Sequence, residues 1–137
     1  MRTKLGFTIL ELLVSLAIIA VLLSVVLILM DNVREQTRDS KRMSDTREMS
    51  KALELYAVEN GSFPIAVEAV TITGEDAVST TLESAEAISE MPIDPTHPTT
   101  SYTYQSDAQG DTYTISFCLE TNNIENYSQG CGNTVNP

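Results

Sequence analysis

The sequence is poor in the residues on which most site chemistry depends. Its 137 residues include no Trp, one His, two Cys and eight Lys and Arg together. His97, with no thiol beside it, offers neither a His/Cys metal cluster nor a nucleophile paired with its base. The acids are too scattered to nominate a catalytic pair, so an enzyme is not expected. The bases are also confined. Lys51 is the last of them, and thirteen Asp and Glu follow with no Lys or Arg among them. Such a surface repels phosphate backbones, which excludes nucleic acid as a partner of the C-terminal part and fits a solvated acidic face. Gly and Pro are missing from Phe7 through Asn60, so no residue there breaks a helix.

Charge is nearly missing from the first part of that stretch as well. Residues 7–30 contain one ionisable group, Glu11. As a helix they would be about 36 Å long, enough to cross a hydrocarbon core of about 30 Å. A cleavable secretory signal would have a shorter apolar region ending at a small-residue site, whereas this run continues through Val25, Val26, Leu27, Ile28, Leu29 and Met30 into charged residues. A plain membrane anchor has no use for Glu11, because a carboxylate near the bilayer centre costs roughly 2.5–3.5 kcal/mol. Its place close to the N-terminal end softens that cost without removing it. An acid there asks for a partner.

The residues before and around Glu11 are specific. Met1 to Leu5 form a short basic leader, Gly6 follows, and Phe7-Thr8-Ile9-Leu10-Glu11 opens the apolar run. This resembles the prepilin signature shared by type IV pilins and type II secretion pseudopilins. The resemblance implies that a prepilin peptidase cuts between Gly6 and Phe7, that Phe7 becomes an N-methylated terminus, and that Glu11 is the fifth residue of the mature chain. It implies a single-pass protein of the cytoplasmic membrane with its N-terminus inside, which later enters an extracellular pilus or a cell-envelope pseudopilus. The partners implied are further copies of the chain, the peptidase, the pilus or type II secretion assembly machinery, and membrane lipid before assembly. A glycine at the cut allows close backbone approach in a proteolytic site. The new Phe7 amine can neutralise Glu11 of a neighbouring copy inside an apolar bundle, which would favour assembly and set its register. Losing Arg2 and Lys4 takes the formal charge from −11 to −13. A plain positive-inside count opposes this orientation, since two bases precede the segment and six follow it. The acids interleaved with those six, and the leader, outweigh the count.

The rest of the chain reads as an α+β head on a long N-terminal helix. The helix is expected over Phe7 to Asn60, its second half a solvated run of Arg34, Glu35, Arg38, Asp39, Lys41, Arg42, Asp45, Glu48 and Lys51 in i,i+3 and i,i+4 pairs. Met49, Ala52, Leu53 and Tyr56 give it a face to pack on a sheet. Gly61 supplies a C-cap and Pro64 prevents resumption. Val67 to Thr73 suggests a short strand and Thr81 to Met91 a helix burying Leu82, Ala85 and Ile88. Pro92, Pro95 and Pro98 make a connector. Ser101 to Gln105 and Thr112 to Leu119 alternate as a β-hairpin around Asp107 to Asp111. The expected division is a leader at 1–6, a membrane and filament-core helix at 7–30, an amphipathic helix at 31–60 and a small antiparallel sheet head at 61–137. The Ala52-Leu53-Glu54-Leu55-Tyr56 and Gly61-Ser62-Phe63-Pro64 segments are also similar to pseudopilins. Unlike many pilins, the apolar segment has no proline at Ile28.

Cys118 and Cys131, with twelve residues between them, suit one local disulfide in an exported chain, two unpaired thiols being the alternative. No cofactor is expected. The tail after Cys118 lacks the acidic calcium motif of several pseudopilins, and calcium stays open only at Asp94, Asp107 and Asp111. The leading functional expectation is a major pilin or major pseudopilin that polymerises. The alternative is a minor tip subunit acting as an adhesin or uptake factor.

Overall fold

One helix occupies the longest stretch without glycine or proline. The computed structural model of the chain describes residues 7–137, apart from the side chains of 26–29, and α1 runs from Ile9 to Asn60. Thr8 caps its start and Gly61, at a φ of 81°, ends it by donating its N–H to the Ala57 carbonyl at 2.8 Å. The chain separates after Arg34 into two compact units. In the first, the large apolar side chains described between Ile9 and Val25 are all exposed, and an 18-residue window reaches a mean hydropathy of 3.3. The helix is thus long and apolar enough to cross a membrane.

The second unit builds a core on one face of residues 35–60. Met49, Ala52 and Leu53 are buried with Ile72, Leu82, Tyr102, Tyr104, Ile115 and Phe117 in a single cluster. The sheet comprises β1 (Val70–Thr71), β2 (Thr103–Ser106), β3 (Tyr113–Leu119) and β4 (Gly130–Val135), antiparallel throughout and in sequence order. Alternation along β3 turns Tyr113, Ile115, Phe117 and Leu119 into the core. Buried tyrosines find polar partners: Tyr104 donates to the Pro64 carbonyl at 2.7 Å and Tyr102 to Asp45 at 2.9 Å. The α+β arrangement expected from the sequence is therefore present.

Two expectations are corrected, and one element is added. The helix placed over Thr81–Met91 is instead α2, Ala77–Ser84. Asp76 starts it early by accepting from the Val78 and Ser79 amides at 3.1 and 2.9 Å, and Glu86, at a φ of 56°, lies beyond its end. Leu82 is buried on α2, but Ile88 is buried outside any helix. The C-terminal tail, assigned no element of its own from the sequence, joins the sheet. It is β4, whose Asn133 donates to the Ser128 and Gly130 carbonyls and so shapes its own entry turn. The Cys118–Cys131 disulfide joins β3 to β4 beside the bulge between Phe117 and Leu119. The second correction concerns the charged run of α1, expected to be solvated, where Asp39, Arg42 and Asp45 are buried.

The β2–β3 turn is tied to the segment following α1. Asp107 accepts from the Asp111 and Thr112 amides, and the Phe63 amide donates to the Gly110 carbonyl at 2.8 Å. Gly110 has a φ of 71°, and a Cβ there would lie 2.7 Å from the Phe63 carbonyl oxygen. We expect Gly110→Ala to destabilise the full-length chain by about 1–3 kcal/mol, a loss beyond that of an ordinary surface substitution, in denaturant unfolding. Cys118→Ser with Cys131→Ser should lower stability by roughly 3 kcal/mol in the same measurement, from lost loop closure.

Candidate functional site

Two sites stand out, one in each unit. The first is the N-terminal turn of α1. The Thr8 amide and hydroxyl both donate to Glu11 Oε2 at 2.9 Å, and the Glu11 amide donates to Thr8 Oγ1 at 3.2 Å. This reciprocal pattern is a capping box, in which each side chain satisfies the other residue's orphan backbone donor. Ser15 and Ser24 donate to the Glu11 and Val21 carbonyls at 2.7 Å, so these hydroxyls are satisfied within the helix. Glu11 is then the one charge on an otherwise apolar surface from Ile9 to Val25. Its bonds with Thr8 use Oε2 and the backbone amide, and Oε1 accepts from no described residue. Phe7 precedes this turn and is 76% exposed. Gly6, on the other side of the expected cleavage point, lies outside the described residues.

The second site is an ion cluster centred on Arg42, which is fully buried. Its guanidinium donates to Asp94 at 2.9 and 3.2 Å, to Asp39 at 2.9 Å, to Glu120 at 2.7 Å and to the Thr96 hydroxyl at 2.8 Å. Asp39 in turn accepts from the Glu120 and Thr121 amides and the Thr121 hydroxyl, at 2.8–3.2 Å. Arg38 forms a two-pronged pair with Glu120. Planar guanidinium forks suit such bidentate contacts. Burial pushes the Asp94 carboxyl up, but the hydrogen bonds from Arg42, Thr96 and Thr100 outweigh it and hold the group down at about 2. Arg38, followed by Arg42, likewise holds Glu120 at about 2 despite partial burial. Burial opposes the charge on Arg42, yet Asp94 and Glu120 raise its pKa.

The cluster changes the standing of the acids left open for calcium. Asp94 is committed to Arg42, and Asp107 to its turn. Asp111 is exposed and forms no part of a metal-binding group, and among the described residues no three His, Cys, Asp or Glu converge on a metal position. His97 is exposed, with Nδ1 2.9 Å from the Ser101 hydroxyl. The residues that sequence reasoning missed are Asp39, Arg42 and Glu120. A signal for two of them existed. Extending the apolar stripe of Leu53 and Met49 back at alternating four- and three-residue steps lands on Thr46, Arg42 and Asp39, all nearly inaccessible.

The helix-and-sheet arrangement is pilin-like. The family model of the prokaryotic N-terminal methylation motif matches residues 1–27, so the chain carries the N-terminal signature of type IV pilins and pseudopilins. That motif marks a class of structural, processed proteins rather than a class of enzymes. No curated protein and no solved structure matches the chain.

Cluster stability depends on pH with a definite sign. Asp94 and Glu120 lie below their unfolded values of about 3.9 and 4.3, so their contribution is full above that range and disappears as pH falls through about 2. Unfolding midpoints of the full-length chain should therefore fall between about pH 5 and pH 2. Asp94→Asn should flatten part of that acid limb, and Arg42→Ala should cost about 3–5 kcal/mol at neutral pH by leaving buried acids unpaired.

Proposed function

We propose that this chain is the major structural subunit of a type IV pilus-like filament or pseudopilus. It is made with a leader at 1–6, cut between Gly6 and Phe7, and methylated on the Phe7 amine. The observation carrying this reading is the coincidence of the methylation motif with a single carboxylate in the apolar segment. Glu11 Oε2 is used by Thr8, while Oε1, which accepts from no described residue, can accept from the Phe7 amine of an adjacent copy. In lipid the segment at 7–30 holds the subunit with its N-terminus inside and its head outside. In the filament the same apolar surface exchanges lipid for neighbouring helices, so packing and the amine–carboxylate pair supply the specificity. The amphipathic part at 31–60 and the head at 61–137 form the outer layer. The subunit's partners are other copies, the prepilin peptidase, and the pilus or type II secretion assembly machinery. The small head and the presence of Glu11 favour a major subunit over a minor tip adhesin or uptake factor.

Intact-mass and N-terminal analysis of material sheared from cells should find a chain beginning at Phe7, heavier by one methyl group and lighter by the two hydrogens of the disulfide. A filament subunit beginning at Met1 would overturn the reading. Glu11→Ala should leave processing and membrane retention intact while reducing sheared filaments to a small fraction of wild type. Unchanged filament yield would remove the assembly role of Glu11.

A further inference from the structure

The mature chain carries a formal charge of −13 once Arg2 and Lys4 are lost, so copies brought side by side repel one another. A lateral contact between the acidic units is favoured where a cation not already committed meets an acid of the next copy. In the unit from Glu35 onward, Arg38 and Arg42 are taken by Glu120 and Asp94, and Lys41 pairs with Asp45 at 3.0 Å. Arg47 and Lys51 remain. Both are exposed, and neither side chain forms an ion pair or hydrogen bond with any described residue. One helical turn apart, they lie on the same side of α1. They line a groove of about 590 Å³ between α1 and the C-terminal segment together with the buried Met43 and the partly buried Ile124, Tyr127 and Val135. Glu54 and Glu125 line the same groove without pairing to either cation.

A complementary surface exists elsewhere on the same unit. The segment after α2 carries Glu86 and Glu90, both exposed and with no side-chain partner among the described residues, followed by Ile93, an exposed large apolar side chain. It offers two acids for two cations and an apolar group for the groove floor. None of its residues lines the groove. One copy can therefore use both surfaces at once, the requirement for a head-to-tail contact that propagates into an open filament. We propose that the groove edged by Arg47 and Lys51 is a docking site for the Glu86–Ile93 segment of a second copy of this chain. This rests on the polymer reading above and names the lateral contact by which its heads hold together.

The test uses the full-length chain expressed with its assembly machinery, reading sheared filaments against the processed membrane pool. Arg47→Glu with Lys51→Glu should lower the filament fraction about tenfold or more, because like charges then face each other, with processing and disulfide formation unchanged. Adding Glu86→Lys and Glu90→Lys to that chain should restore at least half of the lost filament. A second measurement avoids charge reversal: Lys51→Cys with Glu90→Cys should give oxidant-induced cross-links that run as a ladder of multimers in sheared filaments. Normal filament yield from the first variant overturns the docking site. So does a loss that the compensating variant fails to restore, which would assign the two cations to a different anionic partner, and so does a monomer-only pattern from the cysteine pair. Absence of filaments from the wild-type chain would instead overturn the polymer reading.

Discussion

The acidic unit depends on one buried cation. Arg42 gathers one local and two distant carboxylates: Asp39 one turn earlier on α1, Asp94 in the proline-rich connector and Glu120 just past the end of β3. A guanidinium without these partners would cost several kcal/mol in so buried a position, and each acid would cost as much without the guanidinium. The cluster is therefore satisfied only when helix, connector and strand end are all in place. Its net worth against a purely apolar core is small or negative by general experience. What it supplies is registry, because the five-donor fork admits one arrangement of its acceptors.

Around this fixed point the rest of the unit is organised by ordinary means. The Asp39 carboxylate also receives the backbone amides of Glu120 and Thr121, so the exit of β3 is held to the helix by main-chain as well as side-chain bonds. Farther along α1, Met49 and Leu53 meet Tyr104, Ile115 and Phe117 in the apolar cluster, where ring contacts such as Phe63 with Tyr113 at 4.7 Å fill the interior. The disulfide starts from Cys118, two residues before Glu120, and secures β4, which among the described strands has only β3 for a neighbour. An ionic anchor, an apolar middle and a covalent edge thus divide the task in a head with a modest apolar supply.

The N-terminal unit follows a different logic. It has no described tertiary partner for its apolar side chains between Ile9 and Val25, and its polar atoms are satisfied locally: Ser15 and Ser24 bond back to the helix, and Glu11 closes a capping box with Thr8. Such a segment is finished as a helix and unfinished as a surface. Lipid or neighbouring helices of the same kind would complete it, which is the physical basis of the proposed passage from membrane to filament.

The sequence by itself determined the elements whose signals are local. Absence of Gly and Pro set the extent of α1, alternation set β2 and β3, and the run from Gly6 to Glu11 carried the methylation motif, because each of these depends on neighbours a few residues apart. Local chemistry was also misread where two signals competed: the Asp76 cap outranked the Leu82, Ala85 and Ile88 spacing and moved α2 toward the N-terminus. Other features required the fold. The Gly-rich tail became a strand because β3 offered an unpaired edge and Asn133 shaped its turn. Arg42 looked like one more solvated charge because its partners Asp94 and Glu120 lie 52 and 78 residues away. Only tertiary structure could decide that it is buried, since desolvating a charge is tolerable solely where distant acids converge on it.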